Sequence, residues 1–266
     1  MATGSATRPN DERIGDRLAD LRQTVRTERR RVVDERQAFA AFRKRLSEIG
    51  PRETTRTSVS TPLVGDAHVS VATPGLCAVR DAYEETVMSV PHYAVDYDDT
   101  YPESLAAEFG RELSVTLTTG TAFDPAIKRE LGRVAGVRRD RRADLLDTLD
   151  AEATSLDELG TRLPALARDV DDLGGVDVDD SGFGALEAYH ARAGTLRDRC
   201  ETVAQKRQAA IRRQRRDLRV PGETRDVPRY LYVDCEATYP VLAMIADLTD
   251  RAASVRSRVE TAIAEW

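Results

Sequence analysis

The side chains with the most chemical capacity in this sequence lie together in Pro91-His92-Tyr93-Ala94-Val95-Asp96-Tyr97-Asp98-Asp99-Thr100-Tyr101, which holds one imidazole, three carboxylates and three phenols. Such groups can ligate a divalent cation or transfer protons. Their spacing matches no HExxH helix, EF-hand loop or phosphatase signature, and Asp-rich loops between helices are routine in an acidic chain. A structural connector is therefore favoured, and a metal-dependent enzyme at the His92 loop ranks only third among the functional readings. Asp177, Asp179 and Asp180 sit in a Gly-bounded loop that resembles a calcium loop superficially, without the glutamate such a loop needs at its twelfth position. His68 and His190 have no His or Cys companion nearby, which makes them surface or boundary residues. Cys77, Cys200 and Cys235 are odd in number and form no CxxC pair, arguing against a disulfide framework or a zinc site and for packing thiols. GxGxxG, GxxxxGK[ST] and GxSxG are all missing, so nucleotide-dependent and serine-hydrolase chemistry are disfavoured. No catalytic, cofactor-binding or metal-ligating residue is assigned, and no cofactor is implied.

Arg29-Arg30-Arg31 and Arg212-Arg213-Gln214-Arg215-Arg216 invite a nucleic-acid reading, since clustered arginines neutralise phosphates and release counterions. The charge is unevenly distributed along the chain, however. Residues 26–45 carry a net charge of +5 and residues 192–219 of +7, whereas residues 144–180 carry −10. Opposite charges on different long helices can pair across the flanks of a shared seam and decide which helix lies beside which. Intramolecular pairing of this kind makes nucleic acid the less favoured partner.

The elements that must position these groups read as helices. Between Asn10 and Gly50, Ile14, Leu18, Leu21, Val25, Val32, Phe39, Phe42, Leu46 and Ile49 fall on alternating steps of three and four, a heptad stripe that implies left-handed supercoiling against a partner helix. Its two polar positions, Glu28 and Glu35, must be exposed or paired with arginine, because a bare buried carboxylate costs several kcal/mol. Arg138 and Arg142, at seam positions of a later helix, are candidate partners. Residues 51–75 form a Thr, Ser, Pro and Gly rich connector in which Val59, Val69 and Val71 could be extended. A second helix runs from about Leu76 to Pro91, and a third from about Pro102 carries Leu105, Phe109, Leu113 and Leu117 at steps of four. Asp124-Pro125 caps a helix of roughly fifty residues whose stripe runs from Ile127 to Leu173. Pro164 inside it predicts a kink or a one-turn break. After a connector at 174–184 comes a helix of over thirty residues marked by Leu186, Tyr189, Leu196, Cys200, Val203, Ile211 and Leu218. A connector at 221–237 follows, where Tyr230-Leu231-Tyr232-Val233 could be a short strand or a turn. The last helix carries Val241, Ile245, Leu248, Ala252, Val255, Val259, Ile263 and Trp266 on one heptad stripe. The order of parts at residues 11–90 and 185–266 hints at an internal repeat without residue identity to support it.

The predicted fold is all-α: an elongated antiparallel bundle of long heptad-patterned helices with coiled-coil character, one domain over residues 10–266 behind a disordered N-terminus at 1–9. Composition agrees, since 32% charged and 5% aromatic residues suit narrow apolar seams better than a thick β-rich core. Only three of 40 basic residues are lysine and aspartate outnumbers glutamate by 27 to 19, a surface that resembles those of salt-in halophiles and points to a haloarchaeal source. Met1 to Pro9 contain no apolar secretory core and no apolar run is long enough to span a membrane, so a cytoplasmic, non-membrane protein is expected.

The stretch Val79-Arg80-Asp81-Ala82-Tyr83-Glu84-Glu85-Thr86-Val87-Met88-Ser89-Val90-Pro91-His92-Tyr93, with the arginine-rich first helix before it and Leu105 to Glu112 after it, resembles an uncharacterised haloarchaeal family of long-helix proteins. The resemblance covers nearly the whole chain and implies a helical fold, with no activity, cofactor or site residue to carry over. The expected function is that of a non-enzymatic interaction or scaffold protein whose helical surfaces bind another protein or a second copy of itself. A nucleic-acid-associated or regulatory protein using the arginine clusters is the alternative.

Overall fold

In the computed structural model, which describes residues 10–51, 74–218 and 226–266, every regular element is an α-helix. In chain order these are α1 (Asn10–Glu48), α2 (Pro74–Glu84), α3 (Tyr93–Asp96), α4 (Tyr101–Phe109), α5 (Arg111–Thr119), α6 (Pro125–Gly174), α7 (Phe183–Asp217), α8 (Val227–Leu231) and α9 (Pro240–Ala264). The expectations for residues 1–9, for Val59, His68, Val69 and Val71, and for 219–225 lie outside the described residues.

The helices gather into two compact units. One comprises residues up to Arg29 together with Asp147–Trp266, and the other Arg30–Leu146; α1 divides between them at Arg29 and α6 at Leu146. In the first unit the α1 stripe Ile14, Leu18, Leu21 and Val25 is buried, as are Leu149, Leu156, Leu159, Leu163, Leu166, Val170 and Leu173 of α6. Removing such a side chain from water contributes about 1.5–3 kcal/mol each, and this exceeds what helix propensity alone supplies. Ion pairs fix the directions. Arg29 meets Asp150 at 2.5 Å and Arg168 meets Asp11 at 2.9 Å, so α1 and α6 run antiparallel. Arg199 on Asp169 (3.1 Å) and Arg207 on Glu152 (2.7 Å) make α6 and α7 antiparallel, and His190 near Glu260 (3.0 Å) with Cys200 against Thr249 does the same for α7 and α9.

In the second unit the aromatic residues concentrate. Phe42 packs edge-on to Tyr83 with ring centroids 5.4 Å apart, Tyr83 lies 5.7 Å from Phe109, and Phe39, Phe123, Leu105 and Leu131 complete the buried cluster. Edge-to-face arrangements of this kind add to the burial of the rings themselves.

Several local expectations need correction: α2 ends at Glu84 rather than at Pro91, and Trp266, placed on the last stripe, is exposed. The helix expected from Pro102 through Leu117 is two, because Gly110 adopts φ +87° and turns the chain between α4 and α5; a side chain there would be strained. Pro164 makes no break: α6 is helical through all 50 residues. Its missing N–H deprives Gly160 of a helical donor, but Leu159, Leu163, Leu166 and Ala167 are buried in one phase on both sides and hold the turn. Arg22 lies against this turn, its Nη2 donating to the Leu156 carbonyl at 2.9 Å. A Cβ at Gly160 would fall 1.7 Å from that nitrogen, so the glycine makes room for the guanidinium. Of Tyr230-Leu231-Tyr232-Val233, the first two residues close a short helix, Val227–Leu231, with Pro228 in its first turn, and Tyr232 and Val233 form the turn after it.

Candidate functional site

The polar residues of the α1 seam lead to the first cluster, inside the second unit. Glu35 stands where a heptad position should be apolar, and the structure brings Arg142 of α6 to it, as the seam spacing anticipated. Arg142 Nε donates to Glu35 Oε2 at 2.9 Å, while its Nη2 and Nη1 donate to Glu108 at 2.6 and 3.2 Å. The guanidinium also lies over the Phe39 ring, 4.6 Å from its centroid, a cation–π contact strengthened where water is excluded. Arg138 takes the other expected role differently: it pairs with Glu108 at 3.3 Å and donates to the Ala107 carbonyl at 3.1 Å.

The His92 loop closes over this cluster. His92 Nε2 lies 3.2 Å from Glu35 Oε1, and the Tyr97 hydroxyl donates to the same oxygen at 2.9 Å. Burial and the neighbouring Glu35 carboxylate push the Tyr97 hydroxyl above its ordinary range, so it stays a donor. The loop's carboxylates do not converge. Asp96 turns to Arg31 (3.3 Å), Asp98 sits exposed in a left-handed conformation with φ +50°, and Asp99 lines a cavity of about 60 Å³ with Glu35, Tyr93, Ser104, Glu108 and Arg142. That volume accommodates a few water molecules. Among the described residues no three His, Cys, Asp or Glu side chains are grouped to hold a metal ion.

The second cluster, in the other unit, escaped the sequence reading. Glu152 of α6 is completely buried, and its two oxygens accept four hydrogen bonds: from Arg207 Nη2 (2.7 Å) and Tyr232 (2.6 Å) on Oε1, and from Arg207 Nη1 (2.8 Å) and Gln214 (2.8 Å) on Oε2. Burial by itself would raise the carboxyl, but the Arg207, Gln214 and Tyr232 donors outweigh it and hold Glu152 below its ordinary range. Burial, with Glu152 beside it, raises the Tyr232 hydroxyl. The signal was present as gaps: Glu152 falls in the stripe between Leu149 and Leu156, and Arg207 and Gln214 follow Cys200 at successive steps of seven.

The arginine cluster behaves otherwise than expected. Arg212, Arg213 and Arg216 are exposed and have no ionic partner among the described residues, so residues 144–180 do not neutralise them. Only Arg215 is engaged, donating to Asp226 and to the Tyr239 hydroxyl (2.6 Å). The reason lies in the phase of α7, which buries Arg207, Ile211, Gln214 and Leu218 and turns positions 212, 213 and 216 outward. Residues 144–180 are met instead by Arg22, Arg29, Arg199, Arg207 and Arg251. Of the three cysteines only Cys200 is buried; Cys77 is exposed and Cys235 half-buried, which corrects the expectation that all three pack. His190 is bracketed by Glu260 and Arg256 (3.1 Å), and Asp177 accepts the backbone N–H groups of Asp179 and Asp180 at 3.2 Å each, closing its loop on itself. Among the described residues no helix is long and apolar enough to cross a membrane.

Comparison with curated proteins and with solved structures returned no match in either case. The family model described as Domain of unknown function (DUF7260) matches residues 16–256, and the chain belongs to that family.

Proposed function

We propose that the chain is a non-enzymatic interaction protein whose helical surfaces bind another protein or a second copy of itself. The observation carrying this reading is how fully three inward-facing carboxylates are occupied: both oxygens of Glu152 accept from donors, and Glu35 and Glu108 are held by Arg142, His92, Tyr97 and Arg138. A general acid or base needs a lone pair or proton directed at a substrate, whereas these groups tie helices to one another. What remains for function is the exposed helix faces. Isolating the tagged chain from its own cells at native salt, followed by native mass spectrometry, is expected to return complexes with a second polypeptide in fixed stoichiometry. A chain emerging alone as a monomer overturns the reading.

The outward-facing Arg212, Arg213 and Arg216 favour a second reading, association with nucleic acid. Arginine forks suit phosphate oxygens, but purely electrostatic affinity falls steeply with salt. Under the leading reading, labelled duplex DNA or RNA shows no anisotropy change in molar KCl. Tight, sequence-selective binding there, lost on changing these three arginines to glutamine, would promote the second.

A further inference from the structure

Resting on the interaction reading, one surface of the first unit has the features of a self-docking site. Around the Asp169–Arg199 pair, α6 and α7 leave an open groove of about 450 Å³, with Leu166 and Val203 at its floor and Ala165, Thr195 and Thr202 on its walls. Short wall side chains let a further helix approach closely, its ridge of side chains entering the groove. The charges on the rim then discriminate among occupants. Asp169 and Arg199 neutralise each other at 3.1 Å, leaving Arg162 on the α6 wall and Asp198 on the α7 wall, both exposed and both without an ionic partner among the described residues. Arg162 lies seven residues from Asp169, whose partner Arg199 adjoins Asp198, so the two free charges stand roughly 10 Å apart along the groove. A polyanion would meet Asp198 as a repulsive group. One charge of each sign on opposite walls is, by contrast, self-complementary: a two-fold axis carrying Arg162 of one copy onto Asp198 of the other necessarily forms the reciprocal pair as well.

We propose that a second copy of this chain docks on the α6–α7 groove about a two-fold axis, Arg162 of each copy pairing with Asp198 of the other. The apolar floor supplies affinity and the two ion pairs set the register.

Sedimentation equilibrium over a concentration series tests this, in the lowest salt at which circular dichroism shows helicity no longer rising. The unaltered chain dimerises. Arg162→Asp or Asp198→Arg alone places like charges together and raises the dimer Kd about tenfold or more, while the combined exchange restores it. Thr202→Trp, on an exposed position that the monomer tolerates, fills the groove and abolishes the dimer without loss of helicity. A chain that stays monomeric, or a dimer indifferent to the single reversals or not rescued by the exchange, overturns the proposal. If that monomer still co-purifies with a different polypeptide, the groove proposal alone falls; if nothing co-purifies, the interaction reading falls with it.

Discussion

At the scale of single residues, Glu152 shows how a charge can be carried in an apolar seam. Its partners come from α7 and the segment after α8, so the carboxylate is satisfied only in the assembled unit. Glu152→Gln is expected to lower stability by about 3–5 kcal/mol, since breaking one side of a buried pair strands the other charge. The pH dependence follows from the lowered carboxyl. The group loses its proton more readily folded than unfolded, so its contribution is complete above the unfolded value near 4.3 and disappears as pH falls through the lower folded value. Melting temperatures measured from neutral to acidic pH should therefore show a shallower acid limb in Glu152→Gln than in the unaltered chain; parallel curves would show that the pair gives no linkage. The Glu35–Arg142 pair was legible because four polar side chains, at 28, 35, 138 and 142, stood in otherwise apolar stripes. The Glu152 pair was equally marked by gaps in its stripes, but Tyr232, far along the chain, completes it only through folding.

At the scale of elements, burial phase governs. Leu21 is 4% exposed on the α1 stripe and Thr27 faces solvent. Leu21→Glu should lower the melting temperature substantially because it places a charge in the seam, and Thr27→Glu should leave it nearly unchanged; equal effects would contradict the burial of the stripe. Gly110 is the second test. Its positive φ is what separates α4 from α5, and Gly110→Ala should cost about 1–3 kcal/mol in chemical denaturation for the strain alone, there being no atom near the added methyl to clash with it. Local sequence announced α1, α6, α7 and α9 well, because long stripes average out individual residues. It merged α4 with α5 because steps of four continue across Gly110, and it allowed a break at Pro164 where packing on both sides of one turn outweighs a single lost hydrogen bond.

At the scale of the whole molecule, far-ultraviolet circular dichroism in molar KCl should show well over half the residues helical, and lower salt should reduce that signal as repulsion within stretches such as 144–180 loses its screening; a strand-dominated spectrum would contradict the fold itself. The amino-acid sequence by itself determined that the chain is helical and where its long helices run, for a physical reason: a period near 3.5 is a property of neighbours along the chain and needs no knowledge of what lies opposite. Membership of a stripe likewise announced most of the buried side chains. Tertiary structure alone decided which helix most stripes meet, and with it the fate of the charges other than Glu35 and Arg142. The phase of α7 sent Arg207 inward to Glu152 and Arg212, Arg213 and Arg216 outward, and Asp226 with Tyr239 took Arg215. Such pairings depend on distances between residues far apart in sequence, which composition and periodicity do not encode. The same holds for the groove of α6 and α7, where the fold sets Arg162 and Asp198 around one opening that no stripe announces.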